Sequence, residues 1–128
     1  MNKKLLVDTD IIIDYLRDYK PAVLYLEKTT HQLQLSAITV AELYAGIRDK
    51  DEQKAIENFL GAFEIISVNN AVAQIGGTFR KKYGKSHGTG LADALIAATA
   101  IDQQCNFATL NSRHYPMLKS IAPYEKNK

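Results

Sequence analysis

Three acidic side chains that lie far apart in the sequence have the right chemistry to act together in catalysis: Asp8, Glu42 and Asp93. If they meet in one cleft, their like charges raise one another's pKa or push the site apart, and a divalent cation removes that conflict. Carboxylates without a cysteine or histidine cage are the ligands that Mg²⁺ or Mn²⁺ prefers. Such an ion polarises a phosphoryl oxygen and activates a bound water, so the three acids predict hydrolysis of a phosphodiester.

Each acid also has a purely structural explanation. Asp8 follows a short apolar run and can cap a helix, and Thr39 with Glu42 matches the spacing of a capping box. Asp93 is harder to explain in this way, because nine of the eleven residues 91–101 are apolar and a helix of that composition is buried on nearly all sides. A buried carboxylate needs a partner, which is either the helix N-terminus or a metal ion.

Short apolar runs alternate with segments of helical spacing, which is typical of a parallel sheet between layers of helices. Strands are predicted at 5–7, 33–35, 63–68 and 107–110, with a last short one near 120–122. Helices are predicted after Asp8 with Thr9 or Asp10 as the cap, from Pro21 through Glu27, around 40–47, over 51–60, from Asn69 or Asn70 to Tyr83, and over 91–104 after a flexible polar stretch at 84–90. We therefore expect an α/β fold, a three-layer α/β/α sandwich around a central, mostly parallel sheet of short strands.

Asp8 and Asn111 both follow predicted strand ends, where open α/β sheets form their sites. The chain of 128 residues fits one domain over 1–128, and its 46% hydrophobic content is enough for a core. A formal net charge of +2 is too small to indicate a nucleic-acid partner by itself. The single cysteine, Cys105, excludes an intramolecular disulfide and a cysteine-based zinc site.

The N-terminal apolar run is broken by Asp8, Asp10 and Asp14, which argues against an export segment. The sequence also contains no apolar stretch of the ~18 residues that a membrane span needs. These two observations predict a cytoplasmic protein without a membrane segment.

Four segments, in this order and at these spacings, carry a resemblance to a known family: LVDTDII (6–12), SAITVAEL (36–43), LADALIAATA (91–100) and ATLNSRHY (108–115). The chain resembles the PIN-domain ribonucleases, and specifically the VapC-type toxins of bacterial and archaeal toxin–antitoxin pairs. The resemblance covers essentially the whole chain. It implies an α/β/α sandwich, an acidic cluster that binds Mg²⁺ or Mn²⁺, and endonucleolytic cleavage of RNA. It further implies a cognate protein antitoxin that blocks the site, and a homodimer.

Matched by motif position, Asp8, Glu42 and Asp93 look like the metal-binding, catalytic acids of that family. Thr9 looks like the small polar residue that supports Asp8, and Thr109 looks like the hydroxyl-bearing residue near the cleft. Many relatives carry an aspartate where this chain has Asn111. Because a neutral amide is a poor ligand for a hard cation, this departure counts against a second metal rather than against activity. Asn111 is also an ordinary residue for a turn after a strand.

The densest group of basic side chains immediately precedes the segment of Asp93 and consists of Arg80, Lys81, Lys82 and Lys85. Phosphates that approach an acidic cleft need positive neighbours, so these residues and Arg113 are predicted to bind RNA. The alternative is a solvated helix face followed by a polar loop. Tyr115 and His114, beside Arg113, are predicted to bind phosphate or stack on a base.

Two other functions remain open. The Asp8–Asp10 pair also resembles the opening motif of aspartate-nucleophile phosphatases, in which the first aspartate is phosphorylated. That family has a downstream lysine followed by a paired-aspartate motif, a combination that does not appear here, and the chain is short for its fold. The second alternative is a catalytically inactive PIN-like module that only binds a partner protein. Retention of all three acids argues against that alternative.

Overall fold

The computed structural model describes residues 3–126, and each strand of the sheet is short and followed by a helix. The elements are β1 (Lys4–Val7), α1 (Thr9–Leu16), α2 (Lys20–Lys28), β2 (Gln32–Ser36), α3 (Ala37–Ala45), α4 (Lys50–Leu60), β3 (Glu64–Ile66), α5 (Asn70–His87), α6 (Leu91–Gln103) and β4 (Asn106–Ala108). A single 3-10 turn, Ser112–His114, follows β4.

The four strands form one parallel sheet in the order β3-β2-β1-β4. In its register Leu5 pairs with Leu33 on one side and with Asn106 on the other. The last short strand predicted near 120–122 is a single parallel bridge between Ile121 and Ala108, on the outer edge of β4. Since β1 lies between β2 and β4, residues just after these three strands come together at one edge of the sheet.

Side chains of β1 alternate between two separate clusters of buried residues, as the period of two in a strand requires. Leu5 and Val7 pack with residues of α1 to α4, whereas Leu6 packs with Phe107 and with residues of α6 such as Ile96. The sheet is therefore covered on both faces. This arrangement confirms the predicted three-layer α/β/α sandwich with a parallel sheet.

Several predicted boundaries differ from the structure for local reasons. The cap of α1 is Asp8, not Thr9 or Asp10, because the Asp8 side chain accepts a hydrogen bond from the amide of Thr9. The stretch 84–90 was predicted to be a flexible loop, but α5 continues through His87 and ends at Gly88, whose positive φ of 67° a glycine adopts readily. Only Thr89 and Gly90 then separate that cap from α6.

The end of the described chain is fastened to α1. The buried carboxylate of Asp14 accepts a hydrogen bond from the Tyr124 hydroxyl at 2.9 Å and pairs with Lys126 Nζ at 2.8 Å. Burial, followed by the hydrogen bond and the charge of Asp14, raises the pKa of Tyr124. These contacts hold the segment after Ile121 against the helix that begins at the acidic edge of the sheet. No helix within residues 3–126 meets the length and apolarity needed to cross a membrane.

Adjacent glycines in α5 have opposite surroundings, which gives a matched test of the packing between α5 and α6. A Cβ on Gly76 would lie 2.6 Å from Leu95 Cδ2 and 3.2 Å from Leu95 Cα, whereas a Cβ on Gly77 would meet no atom within 4 Å. We expect Gly76→Ala to lower the free energy of unfolding by about 1–3 kcal/mol, since the two helices must move apart. Gly77→Ala should raise it by roughly 0.5–1 kcal/mol through helix propensity. Urea denaturation measures both, and equal effects would contradict the close approach.

Candidate active site

Asp8 lies at the carboxyl end of β1, where the strand changes into α1. It is buried, with 6% of its surface exposed. Its Oδ1 accepts a hydrogen bond from the amide of Thr9 at 2.8 Å, and its Oδ2 accepts one from the Thr109 hydroxyl at 2.7 Å. Thr109 follows the adjacent strand β4 and is itself buried. The ends of β1 and β4 therefore meet at this carboxylate.

The charge of Asp8 is held in an unfavourable environment. Burial, followed by the negative charge of Asp10, raises the pKa of Asp8 from 3.8 to about 7. Burial likewise raises the pKa of Asp10, whose Oδ2 accepts a hydrogen bond from the amide of Leu110 at 3.0 Å. Among residues 3–126, no lysine, arginine or histidine forms an ion pair with either carboxylate. The sequence interpretation considered Asp10 as a helix cap and as part of a phosphatase-like motif, but it did not place Asp10 among the acids of the metal site.

Asp93 stands at the start of α6, in its first turn. Its Oδ2 accepts a hydrogen bond from the amide of Gly90 at 3.1 Å and lies 3.3 Å from His114 Nδ1. The side chain is 28% exposed, so the prediction of a helix buried on nearly all sides is wrong at this end. Leu91 is 56% exposed there, whereas the core-facing residues begin at Ala94. The first turn of α6, which carries Asp93, is therefore open to solvent, whereas the rest of the helix is largely buried.

Tyr115 lies beside both aspartates. Its ring is 1% exposed and packs against Phe107, with ring centroids 4.7 Å apart. Its hydroxyl donates to Asp93 Oδ1 at 3.2 Å and lies close to Asp8. Burial and the charges of the two carboxylates raise the pKa of Tyr115, so the phenol stays protonated and can donate. The prediction that Tyr115 stacks on a base is therefore wrong, because the ring is inside the core.

Glu42 reaches the same edge from α3 by a different route. Its Oε1 accepts a hydrogen bond from the Thr9 hydroxyl at 2.7 Å, and the Thr9 oxygen lies 3.0 Å from the Thr39 hydroxyl. The capping-box explanation of Glu42 is wrong, since Ser36 caps α3 and Thr39 lies inside it. Thr9 was predicted to support Asp8. Its amide does so, while its hydroxyl holds Glu42.

The predicted acids are thus linked but do not form a closed cage. The Tyr115 hydroxyl donates to Asp93 and lies close to Asp8, and Glu42, which is exposed, is joined to Asp8 through Thr9. Within residues 3–126, no three aspartate, glutamate, histidine or cysteine side chains lie close enough together to enclose a metal ion. The arrangement is a buried carboxylate, Asp8, beside a partly exposed one, Asp93, with the longer side chain of Glu42 at the same edge.

Asn111 faces a histidine rather than a carboxylate. Its side-chain amide lies 2.9 Å from His114 Nδ1, and its backbone amide donates to the Thr109 hydroxyl oxygen at 3.0 Å. His114 in turn accepts a hydrogen bond from the Thr89 hydroxyl on its carbonyl oxygen at 2.7 Å. The turn after β4 and the junction between α5 and α6 are fastened together beside Asp93.

The basic residues predicted to bind RNA are exposed, and four of them lie on α5: Arg80, Lys81, Lys82 and Lys85. Arg113 is exposed in the 3-10 turn. The C-terminal cap of α5 lies beside the site, since a Cβ on Gly88 would come 3.4 Å from His114 Nε2. The last turn of α5, which includes Lys85, therefore approaches the edge that carries Asp93.

The PIN domain family profile matches residues 5–117. Ribonuclease VapC10 of Mycobacterium tuberculosis is 34% identical over 93% of this chain and 91% of its own length. Ribonuclease VapC19 of the same organism is 36% identical over 92% of this chain and 97% of its own length. A chain of a toxin–antitoxin complex from Klebsiella pneumoniae superimposes with a TM-score of 0.82 at 27% identity, over 95% of this chain and 99% of that chain. The chain therefore belongs to the PIN domain family, and within it to the VapC group.

Proposed function

We propose that this chain is a metal-dependent endoribonuclease toxin that hydrolyses RNA phosphodiester bonds and is neutralised by a cognate antitoxin. Two relatives, VapC10 and VapC19, match this chain over nearly their full length, and both carry the name ribonuclease. The observation that carries the proposal is that Asp8 and Asp93 lie at the carboxyl edge of the sheet, where the Tyr115 hydroxyl donates to Asp93 and lies close to Asp8. Among residues 3–126, no lysine or arginine forms an ion pair with either carboxylate, and His114 lies 3.3 Å from Asp93.

The donor set at this edge fits Mg²⁺ or Mn²⁺. Mg²⁺ is usually bound through one or two carboxylates together with waters and substrate phosphates, so a closed protein cage is not required. The buried charge of Asp8, unpaired by any lysine or arginine within the described range, is the kind of charge that a cation stabilises. Asp8 and Asp93 would hold the ion, with Glu42 as the third acid. When bound, a cation of this kind supplies a polarised phosphoryl oxygen and a more acidic water.

The chain's own residues divide the remaining work. Thr109 and the amide of Thr9 fix both oxygens of Asp8, and Gly90 fixes one oxygen of Asp93. Glu42 is exposed and within a hydrogen bond of Thr9, so it can accept a proton from the attacking water at the mouth of the cleft. These contacts hold the acids before substrate arrives, which lowers the cost of reorganisation.

The RNA backbone would be held by the basic side chains at the rim: Arg80, Lys81, Lys82, Lys85 and Arg113. Their charge attracts phosphates toward an edge that is otherwise acidic. Because Asn111 donates toward His114 and carries no charge, we propose one metal ion rather than two.

The partners proposed for this chain are an antitoxin protein and a second copy of itself, in the cytoplasm. The antitoxin is supported by the toxin–antitoxin complex from Klebsiella pneumoniae, whose chain superimposes on nearly all of this one. A groove of about 530 Å³ continues from Glu42 between α1, α3 and α4, with Ile13, Leu43 and Ile56 among its lining. A protein segment lying in this groove would end beside the acids and block them.

Removal of divalent metal should abolish RNA cleavage. We expect purified protein to digest a labelled RNA in Mg²⁺ or Mn²⁺, to lose activity in excess EDTA, and to regain it when the metal is restored, because the carboxylates alone cannot activate water. Cleavage followed on denaturing gels measures this. Cleavage that persists in EDTA would rule out the metal mechanism, and no cleavage with metal present would indicate an inactive binding module. A beryllium fluoride adduct on Asp8 would indicate the phosphatase chemistry instead.

A further inference from the structure

We propose that Tyr115 is a positioning residue that orients Asp93 beside Asp8, so that the two carboxylates can bind one cation between them. This inference rests on the proposed function, because it concerns the same metal site. In this role the buried tyrosine strengthens metal binding and does not contact RNA.

The location of the hydroxyl supports this role. The Tyr115 hydroxyl donates to Asp93 Oδ1 at 3.2 Å and lies close to Asp8, whose charge helps to raise the pKa of the phenol, although the two aspartates are 85 residues apart in sequence. Because each carboxylate carries a negative charge, the two would otherwise repel each other.

Each of the four carboxylate oxygens of Asp8 and Asp93 accepts a hydrogen bond from a different donor. The donor to Asp93 Oδ1 is the phenol of Tyr115. Asp8 Oδ1 and Oδ2 are bound by Thr9 and Thr109, and Asp93 Oδ2 is bound by the amide of Gly90. Within residues 3–126, the only side chain that donates to Asp93 Oδ1 is Tyr115. Loss of the hydroxyl would leave this oxygen without a protein donor and free the carboxylate to rotate.

The ring of Tyr115 is held in one position, so its hydroxyl stays in one place beside Asp93. It is 1% exposed, packs on Phe107, and its backbone amide and carbonyl are hydrogen-bonded to Ser112 and Leu118. A phenylalanine would fill the same space without placing a polar atom in the core. The hydroxyl therefore has a purpose that packing alone does not supply. Partners that orient a metal ligand typically change metal affinity or activity by about 10–100-fold.

The test is Tyr115→Phe, with Mn²⁺ binding measured by titration calorimetry. We expect the Kd for Mn²⁺ to rise by roughly 10–100-fold. RNA cleavage should show the same shift in the Mn²⁺ concentration that gives half-maximal rate, while the rate at saturating Mn²⁺ approaches that of the native chain. Circular dichroism and melting in EDTA check that the variant is folded, as expected for a change that removes one buried oxygen.

Two further variants separate the possible outcomes. Tyr15→Phe makes the same change on a half-buried ring that packs on Phe59, and it should leave the Kd for Mn²⁺ unchanged. Asp93→Asn should abolish Mn²⁺ binding. If the native chain and Asp93→Asn bind Mn²⁺ equally, the proposed metal site fails and this inference fails with it. If Asp93→Asn loses binding while Tyr115→Phe binds as the native chain does, or more tightly, only the role of Tyr115 is overturned.

Discussion

Replacement of Asp93 by asparagine is expected to abolish detectable RNA cleavage, a loss of about 10³-fold or more, while the chain remains folded. An asparagine oxygen can still accept the hydrogen bond from the amide of Gly90, so the start of α6 keeps its cap. The amide is neutral and is a poor ligand for a hard cation. The substitution therefore removes the negative charge of the side chain while keeping its size and shape.

Asp102→Asn is the matched control for Asp93→Asn. It makes the same substitution in the same helix, α6, at an exposed position in the last turn. Cleavage should stay within about twofold of the native rate, and stability should change by no more than roughly 0.5 kcal/mol. Cleavage rates on a labelled RNA and melting curves of both variants decide the matter. An Asp93→Asn variant that is folded and still active would refute the assignment of Asp93.

The sheet and the placement of its acids could be predicted because they depend on local pattern. The apolar run 5–7 followed by Asp8 predicts a buried parallel strand that delivers a carboxylate to its end, and the structure confirms that strand and its cap position. The run 107–110 predicts the neighbouring strand, and parallel pairing then brings Thr109 to Asp8 at 2.7 Å. The strand order β3-β2-β1-β4 was not predicted, because local pattern does not determine which strands of a parallel sheet are neighbours.

The contact between Tyr115 and Asp93 could not be predicted, because it depends on the direction in which a loop residue points after the last strand. No periodicity applies to the 3-10 turn Ser112–His114, so the sequence left Tyr115 as an exposed ring. The length of α5 was missed for a different reason. Gly84 usually weakens a helix, but here the guanidinium of Arg80 lies across it, where a Cβ would come too close to Arg80 Nη1, and the helix continues.

For Glu42, the spacing of the motif predicts the helix but not the contacts of the side chain. Its sequence neighbours predict a helix, which α3 confirms, but the reach of an exposed glutamate depends on its rotamer and on its partner Thr9. The structure accordingly joins Glu42 to the pair through Thr9 rather than through a direct contact. A site that is completed by a cation and a substrate phosphate need not be closed before they bind.

Replacement of Asp8 by asparagine is expected to inactivate the chain and, in metal-free buffer, to make it more stable. Inactivation follows because the neutral amide is a poor ligand. Stabilisation follows because the native charge is buried beside Asp10, so that its pKa is raised to about 7. Asparagine caps helices as well as aspartate does, and the Thr109 hydroxyl can accept from its amide as readily as it donates to the carboxylate.

The sign and the pH range follow from proton linkage. Between pH 3.8 and about 7 the native Asp8 holds a proton that the unfolded chain has lost, so the free energy of unfolding falls as pH rises through this range. The cost is absent below roughly pH 4 and complete above roughly pH 7, with an upper bound of about 4 kcal/mol at 1.36 kcal/mol per unit of pKa. Structural relaxation reduces this bound, and we expect Asp8→Asn to gain about 1–3 kcal/mol near pH 8.

Melting in EDTA across pH 4–8 measures this difference, and a second series with Mn²⁺ reverses its sign. The native chain should gain stability from a ligand that binds only its folded state, whereas Asp8→Asn should gain nothing. Asp18→Asn, at an exposed position where φ is 58°, is the control for the chemical change alone and should follow the native chain in both series. An Asp8→Asn variant that is less stable than the native chain in EDTA at pH 8 would show that the buried carboxylate is stabilised by its hydrogen bonds. A more stable but inactive variant would show that the fold maintains this charge at a cost, for the sake of the cation it binds.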